Sequence, residues 1–140
     1  MRQATTSLTI TTTGQGLVEI TREVGLWVDR QDVGDGLLTV FCRHTSAWLL
    51  INENAAPAVR RDLQRDFARI APESDAYEHD DEGPDDMPAH LRTALTGVSL
   101  SIPVLAGRLA LGTWQGIYLF EHRARPHRRE IVLHLIGEAA

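Results

Sequence analysis

Lysine is absent: all 14 basic residues of this 140-residue chain are arginine. A Schiff-base lysine, a phosphate-loop lysine and a serine-lysine dyad are thereby excluded, and several enzyme classes with them. Cysteine is scarce as well, and the single Cys42 has no partner for an internal disulfide. No run approaches the roughly 18 apolar residues of a membrane span, so no membrane partner is expected. Met1-Arg2-Gln3 leads into threonines instead of the apolar stretch of a signal peptide, which makes the cytoplasm the expected compartment. A surplus of positive charge is also lacking. With 14 basic against 19 acidic residues the net charge is -5, and no nucleic-acid partner is expected, because gripping phosphates takes a basic stripe.

What remains is an ordinary folding composition, 43% hydrophobic and 24% charged. The length suits one domain over residues 1–140, able to bury roughly two thirds of its unfolded surface. Ala4 to Thr13 alternates β-branched residues with Leu8 and Ile10 on one face, a half-exposed strand. Leu17, Ile20, Val24, Trp27 and Val28 recur at helical steps and predict a helix from Leu17 to Asp29. Leu37 to Cys42 and Ala47 to Asn52 read as strands around Arg43-His44-Thr45-Ser46. Pro57 opens a second helix with Val59, Leu63, Phe67 and Ile70 on one face, and Pro72 closes it. Glu73 to Asp86 is acidic and without period, a surface loop, and Asp86 is placed to cap a short helix carrying His90. Ser99 to Val104, Arg108 to Leu111, Gln115 to Glu121 and Glu130 to Ile136 complete the strands, with Arg123 to Arg128 as a solvated hairpin tip. Helices early and consecutive strands late predict an α+β fold: a largely antiparallel β-sheet or sandwich with two to three helices.

His44 at a strand end, His79 entering the acidic loop and His90 leaving it are the candidate metal ligands. Imidazoles with carboxylates and one open position make a catalytic zinc site or a similar divalent centre. Three half-exposed loop histidines are the alternative. Cys42 and His44 are too poorly oriented at i and i+2 for a nucleophile and base, so Cys42 is read as a buried thiol continuing the face of Leu38 and Val40. Ser46 lacks the glycine elbow of a hydrolase. Glu53 is either a solvent-facing residue ahead of a helix capped by Asn54, or a base or ligand in a cleft. Gly112-Thr113-Trp114-Gln115-Gly116 either presents N–H groups to an anion or packs tightly at a bend.

Taken together, His44-Thr45-Ser46-Ala47, Ile51-Asn52-Glu53-Asn54, Asp85-Asp86-Met87-Pro88-Ala89-His90 and Gly112-Thr113-Trp114-Gln115-Gly116 resemble the YjbQ-like family, also called the secondary thiamine-phosphate synthase family. The resemblance continues through Ile102-Pro103-Val104, Gly107-Arg108-Leu109 and Gly137-Glu138. It implies a small α+β protein that assembles as a homotrimer. The implied activity is a weak synthase that joins a hydroxymethylpyrimidine diphosphate to a thiazole phosphate with release of pyrophosphate. The alternative is a trimeric metal- or small-anion-binding protein with no dedicated catalytic role. By the family pattern His44, Glu53, Asn54, His90 and the Gly112–Gly116 turn match site positions and His79 a histidine before the loop; His44, Glu53 and Asn54 are the expected catalytic residues. Thr45, Ser46, Gly112, Thr113, Gln115 and Gly116 are the substrate-binding ones, and His44, His79 and His90 the ligands of a divalent metal, zinc or magnesium. The implied partner is a phosphorylated small molecule. The chain departs from the pattern at Ala56 and Ala58, where aspartates often stand.

Overall fold

Alternation of threonine, serine and aliphatic residues extends Arg2–Thr11 as strand β1 in the computed structural model, which describes residues 1–140. Strand β2 (Gly16–Glu19), helix α1 (Thr21–Asp29), strand β3 (Val33–Cys42) and strand β4 (Ala47–Glu53) follow, then helices α2 (Pro57–Ile70) and α3 (Asp86–Thr96). Strands β5 (Ser99–Leu105), β6 (Arg108–Leu109), β7 (Gln115–Glu121) and β8 (Arg128–Ala139) end the chain. All pairings are antiparallel, in a five-stranded sheet of order β1-β8-β3-β5-β6 and a three-stranded sheet of order β2-β7-β4. The fold is α+β, with three helices.

Period-two patterning builds the core between the sheets. Leu38, Val40 and Cys42 of β3, Ile102 and Val104 of β5, and Ile131, Leu133 and Leu135 of β8 point inward from the large sheet. Ala47 and Leu49 of β4 and Ile117 and Leu119 of β7 meet them from the small one, and Ile20, Val24 and Val28 plug one end. Each such side chain contributes roughly 1.5–3 kcal/mol on burial, so the core is what holds the two sheets together. At Gly36 and Gly137 the β3 and β8 backbones approach so closely that a Cβ on either would collide with a carbonyl oxygen of the other strand.

The opposite face of the small sheet carries a second, aromatic layer under α2. Trp48 lies edge-to-face on Phe67 with centroids 4.8 Å apart and on Phe120 at 5.3 Å, and His122 sits 4.4 Å from Trp48. Helix α2 spans the expected residues and presents Phe67 to this layer, although Ile70, expected on the same face, is exposed.

Two local readings are corrected. Leu17–Glu19 is strand, not the first turn of a helix, because it pairs with Tyr118–Phe120 of β7, and α1 starts only at Thr21. The basic segment after β7 is solvated only at its tip: Arg125 and Arg128 are exposed, whereas His122, Arg123 and Arg129 on its flanks are buried, the arginines by pairing with carboxylates.

Candidate metal centre and cleft

Helix α3 sets the geometry of the site. Asp86 and His90 are four residues apart and so share one helix face, and the His90 Nε2 lies 3.2 Å from the Asp86 Oδ2. His79 comes from the acidic loop and places its Nε2 2.6 Å from the same oxygen. Glu82 Oε2 stands 3.7 Å from His79 Nε2. One donor atom from each of His79, Glu82, Asp86 and His90 lies within 4.8 Å of the other three. A tetrahedron of bonds near 2.1 Å has edges of about 3.4 Å, so this set brackets the size a small divalent cation requires.

The surrounding residues aim these donors. Arg123, at the end of β7, gives Nε to Asp85 Oδ2, one terminal nitrogen to Asp86 Oδ1 and the other to the Glu82 carbonyl, each at 2.8 Å. With Oδ1 held by Arg123, Oδ2 of the buried Asp86 is left to face both histidines. Burial alone would raise the Asp86 carboxyl, but its hydrogen bond with His79 and the charge of Arg123 hold it below the ordinary value. The hydrogen bond to Asp86 in turn raises His79. Asp86 was expected to cap α3; it lies instead inside the helix, Asp85 precedes it, and neither side chain caps the helix end. The carboxylate is diverted to Arg123 and the histidines, where its charge is better compensated.

A cleft of about 600 Å³ adjoins the cluster, with Phe41, Arg43, His44, Thr45, His90 and Val98 in its wall. His44 stands in this wall but outside the donor cluster, its Nε2 accepting the Glu130 backbone N–H at 2.8 Å. Thr45 borders the cleft as well, and its carbonyl oxygen lies 2.9 Å from His90 Nδ1. Ser46 is turned inward: its Oγ accepts from Arg129 at 2.9 Å, next to the buried Arg129–Glu121 pair. Cys42 is buried, and burial pushes its thiol up to about 11, as suits the inert reading.

Glu53, Asn54 and the Gly112–Gly116 turn are brought together, but elsewhere. Glu53 pairs with Gln115 at one end of β4, whereas Ala47 pairs with Glu121 at the other, where His44 leads in. Six strand steps separate those ends by about 20 Å. The Glu53 carboxylate accepts the N–H groups of Ala55 at 3.2 Å and Ala56 at 3.0 Å, ahead of α2. Neither Glu53 nor Asn54 caps α2, whose N-cap Ala56 has no side-chain cap bond, and the Asn54 amide lies 3.5 Å from the Gln115 carbonyl. The Gly112 N–H is taken by Gln115 Oε1 at 2.8 Å, and a Cβ on Gly116 would stand 3.0 Å from Glu19 Oε2 and 3.1 Å from Asn54 and Tyr118 carbons. Close packing accounts for Gly116. Thr113 makes no side-chain hydrogen bond that ties it to this cluster.

Glu82 and Asp86 belong to the acidic stretch that the sequence places beside the histidines; Arg123 is the member whose place sequence reasoning missed. The i,i+4 spacing of Asp86 and His90 was a usable signal; Arg123 lies 37 residues away from Asp86 and carried none.

The model of the family described as UPF0047 protein YjbQ-like matches residues 6–138. A UPF0047 protein of Synechocystis is 51% identical over 138 residues, covering 98% of this chain and 94% of its own. The UPF0047 protein YjbQ of Escherichia coli O157:H7 is 44% identical over 133 residues, covering 94% and 96%. Among solved structures, a YbjQ-like protein of unknown function from Sulfolobus solfataricus superposes with a TM-score of 0.87 at 25% identity, covering 98% of this chain and all of that one. An uncharacterised YjbQ/UPF0047 protein from Clostridium acetobutylicum gives 0.87 at 36% identity, covering 94% and 99%. The chain belongs to the YjbQ-like UPF0047 family.

Proposed function

We propose that His79, Asp86 and His90, with Glu82 as a fourth donor, hold a divalent cation that serves a phosphorylated small molecule bound in the adjoining cleft. The observation that carries this reading is the convergence of two imidazole nitrogens and two carboxylate oxygens on one point, with Arg123 fixing the Asp86 carboxylate from behind. Two nitrogen donors favour zinc over magnesium, which prefers oxygen and retains its waters. When bound, the cation neutralises a leaving pyrophosphate. Asp86 and the histidines position it, and the cleft walls orient the phosphorylated partner.

The reaction the family resemblance points to is thiamine-phosphate synthesis. The bond from the pyrimidine methylene carbon to the diphosphate breaks, the thiazole nitrogen bonds that carbon, and pyrophosphate departs. Turnover of the two substrates by zinc-loaded chain, abolished by chelation and reduced at least about 100-fold in His90→Ala, is the expected result. Turnover indifferent to zinc and to His90 contradicts the reading. Stoichiometric zinc without turnover would point instead to the second reading, a binding protein for a metal or small anion. We infer a homotrimer, for which the exposed Leu37, Phe41 and Ile136 on the outer face of the large sheet offer an apolar surface.

A further inference from the structure

His44 and His90 stand in the same cleft wall, and each has one ring nitrogen bound to the backbone, but in opposite senses. The Glu130 N–H can only donate, so the His44 Nε2 that it meets at 2.8 Å must supply the lone pair. The neutral ring then carries its proton on Nδ1. The Thr45 carbonyl can only accept, so His90 Nδ1, at 2.9 Å, must carry the proton there. Both rings are Nδ1–H tautomers, yet the nitrogens they leave free differ. His90 points its Nε2 at the Asp86 carboxylate, among the candidate cation donors, whereas His44 leaves an N–H that no other group of the chain accepts. That N–H is not sealed in the interior either: the buried side-chain polar atoms without partners belong to Trp48, Arg92 and His122.

Building on the cation reading above, we propose that His44 is the oxyanion anchor of the cleft: its Nδ1–H donates to a phosphate or carboxylate oxygen of the ligand, and it does not ligate the cation. A half-buried N–H donor fixed in orientation by a backbone bond loses little entropy on meeting an anion. Burial and the Arg129 charge lower the His44 pKa and keep the ring neutral, in the form that offers one N–H and one lone pair. Arg43 in the same wall adds positive charge, although it is shared with Glu130 at 3.1 Å. Phe41, Ala94 and Val98 give the wall an apolar part, beside the polar Thr45 and Thr93. The ligand class this selects is an oxyanion carried on a compact apolar or aromatic group.

Two substitutions separate the nitrogens of His44. His44→Gln keeps an acceptor for the Glu130 N–H and removes the donor at the Nδ1 position; His44→Asn keeps an amide N–H near Nδ1 and gives up the backbone bond. Inorganic phosphate is titrated by calorimetry into zinc-loaded wild type and both variants, with zinc content measured in each. The expected result is an affinity about 10- to 100-fold weaker in His44→Gln, recovered in large part by His44→Asn, with one zinc per chain in all three. Nitrogen NMR of wild type without ligand is expected to show the His44 proton on Nδ1. Wild-type affinity in His44→Gln, loss of zinc in that variant, or a proton on Nε2 overturns the proposal. If wild type takes up no zinc but phosphate follows the same order among the variants, the cation reading fails and the anchor stands.

Discussion

Both ring nitrogens of His122 are buried without a hydrogen-bond partner, packed against Trp48 and Phe120. Burial first, then the charges of Arg92 and Arg129, drive its pKa down to about 3. In the unfolded chain the same ring titrates near 6.5, so between these values the unfolded state binds the extra proton. Stability is therefore fully present above about 6.5 and falls with decreasing pH, by up to about 1.4 kcal/mol per unit, until about 3. His122→Phe replaces the orphaned polar atoms with apolar ones of similar shape. Its melting temperature is expected to drop less than that of wild type between about pH 7.5 and pH 5; equal drops contradict the assignment. The run from His122 to Arg129 was legible as basic, but not the burial of Arg123 and Arg129 on its flanks, because their pairing with Asp85, Asp86 and Glu121 is tertiary. Cys42, in contrast, was legible, since it continues a period-two apolar face, and thiol reagents are expected to label it only after unfolding.

At the scale of elements, the acidic loop and α3 act together through Arg123. Its guanidinium joins Asp85, Asp86 and the Glu82 carbonyl, and these groups are largely shielded from solvent. Arg123→Leu leaves Asp86 buried without its counter-charge, and a loss of about 3 kcal/mol in denaturant unfolding is expected, with faster hydrogen exchange in residues 79–86. A loss under about 0.5 kcal/mol would show that the loop is held by other means. Glu53→Ala tests the turn ahead of α2: a loss of about 1 kcal/mol with turnover retained marks Glu53 as an anchor of that turn, and a collapse of turnover at full stability marks it as catalytic. Helix α2 was readable from end to end because Pro57 opens it and its apolar spacing is local. Strand β2 was not readable. Leu17 and Ile20 mimic a helical step, and only the distant β7 turns Leu17–Glu19 into strand.

Across the whole molecule, the two antiparallel sheets place the histidine cluster and the Glu53–Gly116 cluster at opposite ends of β4 within one chain. The α+β class followed from helix and strand order alone, but which motifs meet is decided by strand register, to which single-sequence periodicity is blind. Thus His79 and His90 converge as the sequence suggested, while His44 faces the same cleft without joining the donors. Light scattering is expected to give three times the 15.5 kDa chain mass, and Leu37→Arg on the outer sheet face to reduce it to that of the single chain. A monomer in wild type contradicts the homotrimer. The most direct measurement of the central claim is anomalous diffraction at the zinc edge from crystals of zinc-loaded chain. A single strong peak is expected about 2.0–2.2 Å from His79 Nε2, an Asp86 oxygen and His90 Nε2. A peak that includes His44 and omits Asp86, or no peak at this cluster while zinc occupies another part of the chain, would contradict it.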